Sequence, residues 1–196
     1  MSEKYLETIK AVDGRVQNLK YHQKRLESVL GTYVNPVMHN LTDIIKAPQN
    51  GICRCRVVYD ENSIAVEYIA YVKREVKSLK IIYNDEIEYS KKYENRKLID
   101  ELFALKDKYD DILIVRSGLV TDTSIANIAF YDGSHWLTPK RPLLKGTTRE
   151  RYLENGKLIE QDIFVEDIKN FTGVALLNAM VDFDIIAQEN IEEVIC

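Results

Sequence analysis

The segment LLKGTTRERYL places a glycine and two threonines directly ahead of a helical pattern. The N-terminus of a helix presents backbone N–H groups and a partial positive charge, so Thr147 and Thr148 could help to bind an anion there. Threonine also caps helices routinely, at a value of about 1 kcal/mol. Taken alone, the segment favours a simple helix cap, with an anion site as the alternative.

An acid, an amide and a lysine form a second group of candidates. Asp122 and Asn127 lie in VTDTSIANIAF, a turn between two apolar strands, where the acid could face a cleft or could form an ordinary Asx turn. Lys92 lies in YSKKYENRKL. Its amine would suit Schiff-base chemistry only if burial near other cations lowered its pKa, whereas most lysines are solvated charges.

Basic residues recur at spacings that bring them to one face. His22 and Arg25 are three residues apart in YHQKRLES and share a face if that segment is helical. Arg54 and Arg56 alternate with cysteines in ICRCRVVY and share one side if that segment is a strand. Neighbouring arginines either lie in water or clamp an anion such as a substrate carboxylate.

Hydrophobic patterning predicts the elements that carry these residues. Asp13 and Gly14 between alternating apolar residues indicate a hairpin, and the apolar spacing predicts a helix from Lys20 to about Tyr33. Further strands are predicted at ICRCRVVY, SIAVEYIAY, KSLKIIY, ILIVRSGLVTD and NIAFYDGSHWLTP. Helices are predicted at RKLIDELFALKDKY and KGTTRERYLEN, and the remainder of the chain mixes strands with one short helix.

The basic, polar stretch VKREVKSLK is a candidate boundary between two domains. We expect a small N-terminal α+β domain over residues 1–73, a linker over 74–80 and a larger C-terminal α/β domain over 81–196. The predicted fold class is therefore mixed α/β with two domains.

Composition narrows the classes of protein. The 196 residues carry a net charge of −4, from 27 basic and 31 acidic side chains, which gives no general reason to bind nucleic acid. The apolar runs are too short to span a bilayer. The three cysteines form neither a disulfide framework nor a zinc cluster, and the first residues lack a secretory signal pattern. We expect a cytoplasmic protein with no bound metal, no membrane and no nucleic-acid partner.

Read in chain order, these fragments resemble the class IV aminotransferase family of pyridoxal phosphate (PLP) enzymes. The similarity begins with LETIK and with the H-x-x-R-L spacing of His22, Arg25 and Leu26. It continues through KYENR, GLVTDTSIANIAF, LTPKRPLLKGTTRE and LLNAMVD, which together extend over nearly all of the chain. The string T-P…L-x-G-x-T-R is the most specific part of the resemblance.

The resemblance implies a role for each candidate. Lys92 would be the Schiff-base lysine and would then move protons as general acid and base, and Asp122 would pair with the pyridine nitrogen of PLP. Arg25, Thr147 and Thr148 would hold the phosphate. In the family, the acid that faces the pyridine nitrogen is usually a glutamate, one carbon longer than Asp122. The family also implies a homodimer, with the cofactor between the two domains.

Within this family a short chain with a Lys-x-x-Asn-Arg segment resembles the branch of the 4-amino-4-deoxychorismate lyases, which release pyruvate and 4-aminobenzoate. The alternative is an amino acid aminotransferase of the branched-chain or D-amino acid type, in which Arg54 or Arg56 would bind the substrate carboxylate. A non-catalytic scaffold of the same fold is a third possibility, but the presence of Lys92 argues against it.

Overall fold

A computed structural model describes residues 3–196, which divide into two compact units. The first unit runs up to Lys73 and also contains Lys91–Asn95. The second unit contains Arg74–Ser90 and Arg96–Cys196. The chain therefore leaves the first unit, returns to it for five residues and leaves it again.

This division differs from the predicted boundaries on both sides of residue 80. Residues 74–80 were expected to be a linker, but Val76 is buried in the core of the second unit, and Arg74 pairs with Asp111 at 2.9 Å. Residues 91–95 were expected in the larger domain. They belong to the first unit, where the N–H of Leu6 donates to the carbonyl oxygen of Lys92 at 2.8 Å.

The first unit is an antiparallel sheet with helices on one face. Its strands are β1 (Tyr5–Val12), β2 (Arg15–Val16), β3 (Ile52–Tyr59) and β4 (Ile64–Ala70), in the order β2-β1-β3-β4. Its helices are α1 (Leu19–Leu30) and α2 (Leu41–Ile44). The predicted hairpin is confirmed: Asp13 and Gly14 both have positive φ, as a two-residue turn between twisted strands requires.

Alternation along β1 and β3 separates a buried face from a partly exposed face. The inward positions share an apolar core with α1 and α2, formed by Tyr5, Ile9, Ala11, Leu26, Val29, Leu30, Leu41, Ile45, Cys53, Cys55, Val57 and Tyr59. Arg54 and Arg56 are half-buried on the opposite face of β3, as their spacing predicted.

The second unit is built on a larger mixed sheet. Its strands are β5 (Leu79–Tyr83), β6 (Asp111–Arg116), β7 (Leu119–Thr123), β8 (Asn127–Tyr131), β9 (Trp136–Pro139), β10 (Leu158–Gln161), β11 (Gly173–Asn178) and β12 (Asp182–Ala187). The order is β10-β9-β8-β7-β6-β5, and β11 pairs with both β8 and β12. The pairs β5–β6 and β9–β10 are parallel, and the other pairs are antiparallel.

The helices of the second unit are α3 (Lys97–Ala104), α4 (Thr147–Glu154) and α5 (Ile191–Val194), with a 3-10 helix at Val165–Asn170. The prediction for α3 was too long, because the chain turns after Leu105 and Asp107 takes a left-handed conformation. The remainder of the chain was predicted to hold one short helix and instead holds α5 and the 3-10 helix. Within residues 3–196, no helix combines the length and the apolar character needed to cross a bilayer.

Candidate active site

A buried carboxylate joins β1 to α1 in the first unit. Glu7 has no solvent exposure, and it lies on the inward face of β1 between apolar neighbours. Arg25 donates from Nε to Oε1 at 2.7 Å and from Nη2 to Oε2 at 2.6 Å. Nδ1 of His22 lies 2.6 Å from Oε2, and it donates because an ionised carboxylate can only accept. His22 and Arg25 therefore lie on one face of α1, as predicted, and both contact the carboxylate of Glu7.

The contacts within this cluster determine the protonation states of Glu7 and His22. Burial alone would raise the pKa of Glu7, but the charge of Arg25 and the hydrogen bonds from His22 and Arg25 outweigh it and lower the pKa to about 2. Burial lowers the pKa of His22, with the Glu7 contact opposing and the charges of Arg25 and Lys92 assisting. Around neutral pH, Glu7 is therefore ionised and His22 is neutral.

Lys92 lies in the short segment that returns to the first unit. Its side chain is half-buried, and its charge acts on His22, so its amine lies in the electrostatic environment of the Glu7 cluster. Lys91 has a different environment: its Nζ bonds to Oγ1 of Thr32 at 3.1 Å and lies over the rings of Tyr5 and Tyr33. The two adjacent lysines are thus distinguished by their contacts.

The two arginines of β3 also differ. Arg56 pairs with Glu94 at 3.0 Å and lies 3.9 Å from a carboxylate oxygen of Glu67. Among residues 3–196, Arg54 forms no ion pair, and its Nε is buried without a hydrogen-bond partner. Lys10 is the residue opposite Arg54 on β1, which places two cations next to each other. Of the two arginines, Arg54 is therefore the better placed to bind the carboxylate of a ligand.

A second buried carboxylate, Asp122, lies at the end of β7 in the second unit. Asn127, its partner across β7 and β8, donates from Nδ2 to Oδ1 of Asp122 at 2.6 Å and also to the carbonyl oxygen of Leu144 at 2.8 Å. The N–H of Leu144 donates to Oδ2 of Asp122 at 2.9 Å. Asp122, Asn127 and Leu144 therefore form a closed set of hydrogen bonds that attaches the loop before α4 to the acid.

Burial dominates the electrostatics of Asp122 and raises its pKa to about 6. The hydrogen bonds from Leu144 and Asn127 and the charge of Arg149 oppose this shift without cancelling it. A bound cation facing Asp122 would lower the pKa again, because an opposite charge favours the ionised form. The site is thus suited to a protonated ring nitrogen.

The start of α4 lies three residues beyond Leu144 along the chain. Gly146 is the N-cap, so Thr147 and Thr148 are the first two helical residues, and the interpretation of either as a simple cap is wrong. Both are buried, and within residues 3–196 neither hydroxyl makes a hydrogen bond. With the first backbone N–H groups of the helix, they form a set of donors for an anion.

Close packing holds this helix start against Asn127. A Cβ atom at Gly146 would overlap Oδ1 of Asn127, so only glycine fits there without displacing the amide. Arg149, also buried, donates to the carbonyl oxygen of Pro139 at 2.8 Å and pairs with Glu160 at 2.6 Å. These contacts fix the first turn of α4 to β9 and β10.

Two further side chains hold the turn that follows Asp122. Arg96 donates from Nη2 to the carbonyl oxygen of Ser124 at 2.9 Å, and Asn178 donates from Nδ2 to that of Ile125 at 3.3 Å. Sequence reasoning did not select Arg96, Asn178 or Glu7. The sequence did contain one indication for Glu7. The alternating pattern of β1 places this acid on the face of the strand that is buried.

The predicted site residues thus form two groups. Arg25 and Lys92 are in the first unit, while Asp122, Thr147 and Thr148 are in the second. Hydrogen bonds within the first unit hold Arg25, and hydrogen bonds within the second unit hold Asp122.

Three comparisons relate this chain to known proteins. A family model described as amino-transferase class IV matches residues 93–187. An uncharacterized protein of Haemophilus influenzae is 40% identical over 180 residues, covering 89% of this chain and 96% of that protein. The crystal structure of a "putative 4-amino-4-deoxychorismate lyase" from Haemophilus somnus is 33% identical, with a TM-score of 0.86 and a match that covers 92% of this chain and 97% of that chain.

The same architecture occurs in a more distant protein. The branched-chain amino acid aminotransferase of Escherichia coli has a TM-score of 0.73 at 15% identity, and the match covers 96% of this chain and 79% of that chain. At this identity the likeness shows the fold alone, and it confirms the predicted mixed α/β fold. By its sequence relatives and its fold, the chain belongs to the amino-transferase class IV family.

Proposed function

We propose that this protein is a PLP-dependent enzyme with 4-amino-4-deoxychorismate lyase activity. The observation that carries the proposal is the arrangement in the second unit, where Leu144 attaches a buried acid to the loop that leads into an anion-binding helix start. Thr147 and Thr148 at that start are buried residues, and their hydroxyls form no hydrogen bond within residues 3–196. A carboxylate and an anion site joined in this way match the ring nitrogen and the phosphate of PLP.

The donor chemistry of both units fits this cofactor. Asp122 would accept a proton-bearing ring nitrogen, and Thr147 and Thr148 would donate to the phosphate together with the guanidinium of Arg25. Lys92 would supply the amine that condenses with the aldehyde. When bound, PLP would supply an electron sink for a carbanion formed on the substrate. Asn127 would orient Asp122 without touching the cofactor.

Lys92 would then serve as the general acid and base. A positioned amine can remove a proton from the substrate carbon and return one to product, a contribution that is typically about 10²–10⁴-fold. Arg54, with its buried Nε and with Lys10 opposite, would bind a carboxylate of the substrate. Arg56, already paired with Glu94, would have a smaller part in binding.

The choice of the lyase reaction draws support from the Haemophilus somnus protein, which is described as a "putative 4-amino-4-deoxychorismate lyase" and matches this chain along nearly its whole length. Amino acid aminotransferase activity is the alternative, and the family allows it. Incubation with 4-amino-4-deoxychorismate should release 4-aminobenzoate and pyruvate when no 2-oxo acid is added as an amino-group acceptor. Turnover that requires a 2-oxo acid acceptor would instead establish transamination.

Cofactor binding is tested separately from substrate choice. Purified protein mixed with PLP should develop a new absorbance band, and borohydride should fix a pyridoxyl group on Lys92, as peptide mass spectrometry would show. Lys92→Ala should abolish both signals. Lys91→Ala is the matched control, because it removes the adjacent amine, and it should retain both. Wild-type protein that shows neither signal would identify a non-catalytic scaffold.

We further propose that the protein is a homodimer, as the family resemblance implies. Sedimentation velocity at micromolar concentration should give the mass of two chains, and a single-chain mass that is independent of concentration would contradict this.

A further inference from the structure

We propose that Glu7 is a positioning residue that orients Arg25 toward the phosphate of the cofactor. This role rests on the proposed function, because it presumes that Arg25 binds the phosphate. It adds a residue to the site that never touches the cofactor and acts only through the guanidinium.

The geometry of the pair supports this role. Glu7 contacts the Nε–Nη2 edge of Arg25 with two hydrogen bonds of 2.7 and 2.6 Å. Because the guanidinium is planar and rigid, fixing this edge also fixes the direction of Nη1, which points away from the carboxylate. His22 holds the same carboxylate from a second side at 2.6 Å. Arg25 is thereby ordered before any ligand arrives, which lowers the entropic cost of binding.

The location of Glu7 explains why it acts as a support. It is fully buried on β1, next to α1, and within residues 3–196 its carboxylate bonds only to His22 and Arg25. A buried ion pair contributes little net stability compared with apolar residues of similar size. The acid is therefore better explained by the orientation it gives to Arg25 than by the stability of the core.

The charges within the cluster of Glu7, Arg25 and His22 nearly cancel, so an anion would be bound there through directed N–H groups and not through net charge. Glu7 stays ionised and offsets the charge of Arg25, and His22 stays neutral, so the cluster itself carries little net charge. Lys92 adds a positive charge nearby, and Tyr59 also interacts electrostatically with Glu7. A phosphate bound by Arg25 would therefore contact N–H donors that are already oriented, whereas a free guanidinium would be surrounded by water.

The test compares PLP with pyridoxal, which has the same ring and aldehyde but no phosphate. Dissociation constants are measured by absorbance titration of the cofactor-free protein. Glu7→Gln should weaken PLP binding by about tenfold or more, the equivalent of one charged hydrogen bond, and should leave pyridoxal binding within about threefold. Arg25→Lys should show the same selective loss, since lysine lacks the planar fork.

Asp60→Asn is the matched control. Asp60 is another buried acid of the first unit, but its carboxylate accepts backbone N–H bonds from Asn62 and Ser63, and its replacement should leave the ratio of the two dissociation constants unchanged. If Glu7→Gln does not fold, as judged by circular dichroism, Glu7→Asp takes its place. That variant keeps the charge but moves the carboxylate by one carbon, and it should also lose PLP affinity selectively.

Three results would contradict the role of Glu7. The first is an equal loss for PLP and pyridoxal, and the second is no loss for either, because both show that Glu7 does not act through the phosphate. The third is failure of the wild-type protein to bind PLP at all, which would overturn the proposed function itself. This last outcome is recognised in the wild-type titration, before any variant is compared.

Discussion

Glu7 and Asp122 are both buried carboxylates, yet their surroundings shift their pKa values in opposite directions. Glu7 faces a guanidinium and an imidazole, which lower its pKa to about 2. Asp122 faces an amide and a backbone N–H, which only partly offset burial, and its pKa rises to about 6. The first acid is permanently charged in the working range of pH, whereas the second titrates near that range.

Asp122 should therefore make PLP binding depend on pH. Below a pH of about 6 the acid becomes neutral in the cofactor-free protein, and the affinity for a protonated ring nitrogen should fall as the pH is lowered. Asp122→Asn should weaken binding at pH 7 by roughly tenfold or more, equivalent to about 1.5–3 kcal/mol for a hydrogen bond to a charged group. Absorbance titrations at several pH values measure both effects.

The cofactor phosphate has its own titration near pH 6, so the variant also serves as the control. Any pH dependence that Asp122→Asn retains belongs to other groups, the phosphate among them, and the part that it loses belongs to Asp122. Identical pH profiles for the two proteins would contradict a role for Asp122 at the ring nitrogen.

Glu7 should make the stability of the fold fall as the solution becomes acidic. Its pKa is lower in the folded protein than its ordinary value of 4.5, so its contribution is present above that value and is lost as the pH falls toward about 2. The shift corresponds to a free energy on the order of 3 kcal/mol. In urea unfolding, the stability difference between wild type and Glu7→Gln should shrink by about this amount over that range. A difference that stays constant with pH would contradict the assignment.

Individual site residues were predictable to different degrees. The sequence alone was enough to select Lys92, Asp122 and the two threonines, because they lie in motifs whose order along the chain resembles that of a known family. Glu7 could be placed on β1, but its partners are 15 and 18 residues away along the chain, a contact that local patterning does not encode. The choice between Arg54 and Arg56 required knowing that Glu94 pairs with Arg56.

At the scale of elements, the loop before α4 depends on one close contact. Gly146 has a φ of −74°, so its backbone would accept any residue, and the constraint is the space taken by Asn127. Gly146→Ala should displace the Asn127 amide and release the hydrogen bonds to Asp122 and Leu144. We expect a loss of about 1–3 kcal/mol in the free energy of unfolding and weaker PLP binding, both measurable by titration.

Gly31→Ala is the control for this substitution. Gly31 also has an ordinary negative φ, of −61°, and the nearest atom to a new Cβ there would be the carbonyl oxygen of Glu27 at 3.1 Å. Its effect on stability should be smaller, and PLP affinity should not change. Equal effects of the two alanines would show that the contact with Asn127 is unimportant.

The elements that sequence patterning predicted well are those fixed by local rules. The hairpin at Asp13 and Gly14, α1 and the alternation of β3 each follow from turn chemistry or from periodicity. The end of α3 was missed because leucine and lysine continue a helical pattern past the point where the chain turns. The position of the threonines in α4 was not predictable from the cap preference of threonine, because Gly146, which has no side chain to donate or accept, occupies the N-cap.

At the scale of the whole molecule, each unit has its own apolar core. The core around β1 and α1 contains residues of the first unit only, and the three clusters around the larger sheet contain residues of the second unit only. Domain boundaries could be predicted near Lys73 from composition, but the return of residues 91–95 could not, because it depends on hydrogen bonds to β1.

Separate cores predict separate responses to core mutations. Leu26→Ala in the first unit and Leu113→Ala in the second each remove a fully buried side chain, at a cost of about 2–5 kcal/mol. Hydrogen exchange should show that each variant lowers amide protection mainly in its own unit. If both variants lowered protection equally throughout the chain, the two units would have to unfold as a single cooperative body.

The path of the chain also limits how this protein can be divided or recombined. A gene fragment that stops at Lys73 encodes every strand of the smaller sheet but omits the lysine proposed to hold the cofactor, together with the carbonyl group that receives the N–H of Leu6. No single crossover point can exchange the complete first unit between relatives. Recombination between relatives must therefore either replace the two units together or join the two sequences at three positions, after residues 73, 90 and 95.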